Sequence, residues 1–229
     1  MTSSERLVPA SSRVAAVAAR MRALSAGLPD RDGVAVFNRV YLSVTRELTR
    51  RVDEGWFRHP HRTAELGAAF ALRYLSAVEA DAEGRRAPAC WRPLFAARHH
   101  RAVRPLQFAL AGVNAHVGHD LALAVVDTCH LLGLQPADVE RDFERVGDVL
   151  AAIEERVREE LMPGPDLLEL ADPLTHLAGV WSLDAARTAA WSAAGLLWRL
   201  RELPGLYAEF AHGLDTGVGL VNRCLLTPL

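Results

Sequence analysis

Asn114, His116, His119 and Asp120 fall inside one seven-residue run, Asn-Ala-His-Val-Gly-His-Asp. Imidazole and carboxylate groups exchange protons near neutral pH, so this set is suited to general acid–base work. The same nitrogens and oxygens ligate zinc, iron or manganese. On a helix that turns about 100° per residue, His116, His119 and Asp120 project into one sector. Asp127 and His130 return to that sector two to three turns later. His116, Asp120 and Asn114 are therefore the catalytic candidates, and His116, His119 and Asp120 the candidate ligands of a divalent metal. The spacing differs from HExxH, whose histidines stand four apart around a base.

A solvent-facing helix gives a competing account. Leu106, Leu110, Val113, Val117, Ala124 and Leu131 gather roughly opposite the polar sector, as on any amphipathic helix. Against this, the run from Leu106 to Leu134 holds no Glu, Lys or Arg, whereas other polar faces of the chain are full of Arg and Glu. That absence points to burial. Gln107 lies seven residues before Asn114, on a different side from the histidines, and is a candidate to orient a substrate.

Other chemistry-bearing residues carry weaker signals. In His99-His100, adjacent rings diverge by about 100°, and a surface position is favoured. His59 and His61 flank Pro60 in an expected loop, while His176 and His212 stand alone. The tryptophans, Trp56, Trp91, Trp181, Trp191 and Trp198, read as core rather than as a cofactor box. Arg73 beside Tyr74, and Arg187, stand among apolar neighbours and need acidic partners if buried. Glu47, Asp120 and Asp127 are the available ones. Asn38, Tyr41 and Arg73 join Gln107 as substrate-binding candidates.

The elements that must position these groups read as helices throughout. A loose start (residues 1–11) leads into helices expected over Ser12–Leu28, Asp32–Glu54 and Arg62–Ala82, then one from Cys90 to Arg101. Pro105 opens or kinks the long central segment. A charged amphipathic helix over Asp138–Leu161 carries Phe143, Val146, Val149, Leu150, Ile153 and Val157 on one side. Met162-Pro-Gly-Pro165 is the strongest linker, and Leu167, Leu168 and Leu170 follow it. Two helices close the chain, Leu183–Leu203 and Gly205–Leu225, parted by Pro204. No useful strand alternation or solenoid repeat occurs. The expected fold is all-α, a single domain over residues 12–229 with about seven to nine helices around a long central apolar helix.

With 229 residues, 50% hydrophobic and 24% charged, the chain can bury a sizeable core. Its formal net charge of -2, with both signs interspersed, gives no footprint for nucleic acid or an anionic membrane. Every basic residue is arginine, which rules out a lysine Schiff base and the usual pyridoxal phosphate chemistry. Three dispersed cysteines without CxxC argue against a disulfide framework or a cysteine-based zinc site. With no secretory start and no charge-free membrane-like run, a cytoplasmic setting without membrane insertion is expected.

Several segments resemble the bacterial family known as domain of unknown function 5995. They are Phe37-Asn38-Arg39-Val40-Tyr41 with Val44-Thr45, Phe70 to Leu75, and Leu106 to Leu121, joined by Arg187 with Ala190-Trp191. The likeness runs from about Ala19 to Leu226 and is most specific in the Asn-Ala-His and His-Asp-Leu elements. It implies a shared site at Asn114, His116, Asp120 and Arg73 but brings no activity with it. Gly67 and Leu72 depart from the acidic and polar residues that the resemblance implies there.

The leading functional expectation is an enzyme acting on a small, largely apolar metabolite in a pocket between helices. The reaction would be hydrolysis or a proton-transfer cyclisation or isomerisation. The rival is a non-catalytic helical ligand-binding or interaction protein whose polar cluster holds the bundle together. The oligomeric state stays open, a homo-oligomer included.

Overall fold

The computed structural model describes residues 11–161 and 182–228. Among these, all regular structure is helical, in eight helices. They are α1 (Ser12–Ala26), α2 (Gly33–Asp53), α3 (Pro60–Ala82), α4 (Arg92–Ala97), α5 (Pro105–Leu132), α6 (Glu140–Leu161), α7 (Leu183–Leu200) and α8 (Pro204–Leu225). The Met162–Pro165 linker, Leu167, Leu168, Leu170, His176 and Trp181 lie outside the described residues, as do residues 1–10 and the side chains of Ile153 and Val157.

Local chemistry sets the boundaries. Asp32 caps α2, its carboxylate accepting from the Val34 and Ala35 amides at 2.8 and 3.4 Å. Pro60 occupies the first turn of α3 rather than a preceding loop, because a missing N–H costs nothing there. Pro105 likewise starts α5, and the Gln107 side chain accepts from the Arg104 amide at 2.9 Å. The expected helix from Cys90 to Arg101 is only the short α4, and the closing pair spans Leu183–Leu200 and Pro204–Leu225.

The apolar side chains form two clusters that share α5. One gathers α1, α2, α3, α4 and the first half of α5, with Val14, Met21, Phe37, Tyr74 and Trp91 at its centre. The other gathers the second half of α5 with Phe143 of α6 and Ala190, Ala194 and Leu197 of α7. Accordingly α5 packs its first half on α2 and α8 and its second on α3 and α7. Gly112 permits the closest of these approaches, since a Cβ there would fall 2.3 Å from the Phe37 ring.

Helix α5 is the one helix among the described residues long and apolar enough to cross a membrane, yet 78% of its apolar window is buried inside the protein. Its expected apolar stripe is not a single stripe. Leu131 is exposed, while residues on every side of Leu121–Val126 are buried. A helix enclosed by neighbours on all sides needs no solvent face, which is why the segment carries no Arg or Glu.

Candidate functional site

The two halves of α5 meet at a wide π-helical turn, His116–Asp120, where the Leu121 amide bonds to the His116 carbonyl five residues back. Such turns are uncommon and concentrate at functional sites. This one lies where the two apolar clusters join. It places three ionisable side chains out of water, with His116 2%, His119 6% and Asp120 2% exposed.

Asp120 is the hub. Its Oδ2 accepts from Trp91 Nε1–H at 2.9 Å and lies 3.0 Å from His116 Nδ1, while its Oδ1 lies 2.8 Å from His119 Nδ1. Burial alone would raise the Asp120 pKa, but the hydrogen bonds from His116 and His119 override it and hold the carboxyl at about 2. An ionised carboxylate can only accept, so both histidines donate to it through Nδ1–H, and in the neutral ring the lone pair is on Nε2.

The two lone pairs meet different fates. His116 is held neutral, its pKa lowered chiefly by burial against the opposing pull of Asp120. Its ring stacks on Phe70 with centroids 3.5 Å apart and meets Tyr41 edge-on at 4.3 Å. Its Nε2 is buried without a hydrogen-bond partner. His119 Nε2 instead stands 3.9 Å from Asp215 Oδ1 on α8, and His119 and Asp120 line a cleft of about 480 Å³. Ala69, Leu72, Ala77 and Pro88 supply its apolar wall, and Arg73 lines it while pairing with Asp127 at 2.5 Å.

Helix α8 fixes the loop that delivers Trp91. Asp215 accepts from the Ala89 and Cys90 amides at 2.8 and 2.9 Å, and Asn222 donates to the Cys90 and Ala111 carbonyls at 2.8 and 2.9 Å. Between them, Gly219 lies against this loop, and a Cβ there would fall 2.6 Å from the Ala89 carbonyl oxygen. Asp215, Gly219 and Asn222 are spaced as one helix face.

Some of the expected site residues come together and some do not. His116, His119 and Asp120 converge, Tyr41 packs on His116, and Arg73 and Asp127 join the cleft wall. Asn114 and Gln107 share a face, as their spacing implies, but that face is closed by α8. Asn114 donates to Asn222 Oδ1 at 2.9 Å, and Gln107 donates to the Leu225 and Thr227 carbonyls at 2.9 and 2.7 Å. Asn38 ties α2 to α1 through the Met21 carbonyl and Ser25. His130 lies outside the cluster, exposed beside Trp198. Of the acids offered to the arginines, Asp127 does pair with Arg73, whereas Asp120 pairs with histidines and Glu47 with Arg50 and Arg51. Arg187 donates instead to the Phe143 carbonyl at 2.7 Å.

Cys90, Trp91, Asp215 and Asn222 went unrecognised in the sequence. Asp215 and Asn222, polar and seven apart on a largely apolar helix, were the available signal. Among the described residues, the trio whose donor atoms lie within 4.8 Å of one another is Cys90, His119 and Asp120, without His116. A thiolate, an imidazole and a carboxylate suit zinc. An ion there would have to replace the His119–Asp120 hydrogen bond and ionise Cys90, whose thiol is pushed up by burial and by the charges of Asp120 and Asp215.

The apolar void between α2, α3, α5 and α6, lined by Tyr41, Leu48, Gly67 and Phe70, measures about 40 Å³ and is too small for a metabolite. The arginine-rimmed cleft has the size of a small-molecule site.

No curated protein and no solved structure matches the chain. A family model matches residues 14–228, nearly the whole length, and the chain belongs to the family of unknown function DUF5995.

Proposed function

We propose that the chain is a small-molecule enzyme that works by proton transfer to and from His119, which acts first as a base through Nε2. The observation that carries this reading is the place of the buried His119–Asp120 pair in the wall of the cleft. Asp120 takes Nδ1–H in the protein interior, which leaves the Nε2 lone pair on the side of Asp215. A base oriented by a buried carboxylate is the arrangement that general acid–base catalysis needs. Once His119 accepts a proton, Asp120 and Asp215 flank the imidazolium. Trp91 and His116 keep Asp120 in place, so they act as positioning residues. The substrate is a small metabolite whose apolar body lies on Ala69, Leu72 and Pro88, and the reaction is a hydrolysis or an isomerisation.

One observation favours the rival, a structural cluster in a binding or interaction protein: Asp120 already has three donors within the fold. The two readings part on His119→Gln. Purified wild-type protein and this variant are incubated with a small-molecule cell extract, and metabolites are followed by mass spectrometry. Proton-transfer catalysis is expected to consume at least one metabolite with the wild type and none with the folded variant. Equal consumption by both, or none by either, refutes it.

A further inference from the structure

Four arginines, Arg13, Arg73, Arg85 and Arg86, line the cleft together with His119 and Asp120. Two carboxylates share its wall, Asp120 and Asp127. The other acids that pair with these arginines, Glu65 with Arg13 and Glu83 with Arg85, do not line it. They hold the guanidinium groups from outside the cavity.

These pairings leave most donors unspent. A guanidinium carries about five N–H donors in a fixed fork that matches an oxyanion. Arg13 spends one on Glu65, Arg85 one on Glu83 and Arg73 two on Asp127. Arg86 is exposed and makes no ion pair among the described residues. The cleft wall thus has more cationic than anionic groups, in a chain whose net charge is -2.

We propose that this cleft binds a small molecule bearing an oxyanion, a carboxylate or a phosphate group. Arg73, Arg85 and Arg86 hold that group, and Ala69, Leu72 and Pro88 receive the apolar remainder beside His119. The proposal rests on the reading of this cleft as the substrate site and names the class of substrate. It also answers an electrostatic difficulty, because an anionic ligand would otherwise be repelled by Asp120 and Asp127. The arginines offset that repulsion.

The test is a pair of NMR titrations of the full chain, one with inorganic phosphate and one with butyrate, at constant ionic strength. Arginine Nε–H and His119 ring resonances are followed in the wild type, in Arg85→Gln/Arg86→Gln and in Arg199→Gln, an exposed control outside the cleft. Saturable shifts at Arg73, Arg85, Arg86 and His119 are expected in the wild type. Loss of two charge-assisted contacts should weaken binding by about tenfold or more in the double variant and leave the control unchanged. Saturation by phosphate alone assigns a phosphate ligand, and by butyrate alone a carboxylate. Shifts that do not saturate, or an equal loss in Arg199→Gln, overturn the anion site. The outcomes also separate it from the catalytic reading. If His119→Gln abolishes turnover but neither anion binds, only the anion site fails. If anions bind and the wild type consumes no metabolite, only the catalytic reading fails.

Discussion

Replacing Asp120 by Asn sets two large effects against each other. The carboxylate is buried, and burying a charge is costly enough that a neutral isostere often stabilises a protein. Yet the histidine hydrogen bonds hold its pKa at about 2 against that cost, which means that the folded state favours the ionised form over the protonated one. A carboxyl that titrates near 3.8 when unfolded and at about 2 when folded adds roughly 2 kcal/mol of stability at neutral pH. Because the folded pKa is depressed, this contribution is complete above the unfolded value and fades as pH falls through the folded one. Asp120→Asn should therefore unfold about 2 kcal/mol more easily than the wild type at about pH 7, with the gap roughly halved by about pH 3. Urea unfolding of both proteins across that range, with equal m-values, measures it. A variant as stable as the wild type, or a gap that does not change with pH, would show that the hydrogen bonds do not outweigh desolvation and would refute the reasoning.

Gly112→Val would drive a side chain into the Phe37 ring, which already lies 2.3 Å from an ideal Cβ position. Overpacking of this kind costs about 1–3 kcal/mol, and thermal denaturation should show the loss. Chelation tests whether an ion or the hydrogen bonds hold Cys90, His119 and Asp120 together. Since Asp120 is satisfied by three donors from within the fold, EDTA treatment is expected to leave the melting temperature unchanged. A fall that zinc restores would refute this.

Burial of the Leu106–Val126 part of the central run was legible because long charged side chains are missing there, and an enclosed helix has no place for them. The pairing of His116 with Asp120 was legible too, as neighbours four apart on a helix. His119 was grouped with them in one sector, but the wide turn that carries its Nδ1 onto the adjacent Asp120 was not legible, because nothing in the composition marks it. Trp91 reaches Asp120 across 29 residues of chain, and Asp215 meets the Ala89 and Cys90 amides across 126 and 125. Such meetings depend on how helices cross rather than on local pattern. Gln107 and Asn114 show the reverse limit. Their shared face was correctly read, but the occupant of that face is α8.

The sharing of α5 by both apolar clusters bears on how the protein opens. In most folds the segment with the lowest opening free energy exchanges its amides while the rest stays protected. Here neither cluster can open without baring one flank of His116–Asp120, so the site has no private stability of its own. Partial opening of either half would silence it while most of the helix content persists. The turnover proposed for His119 would then fall before the helix content does.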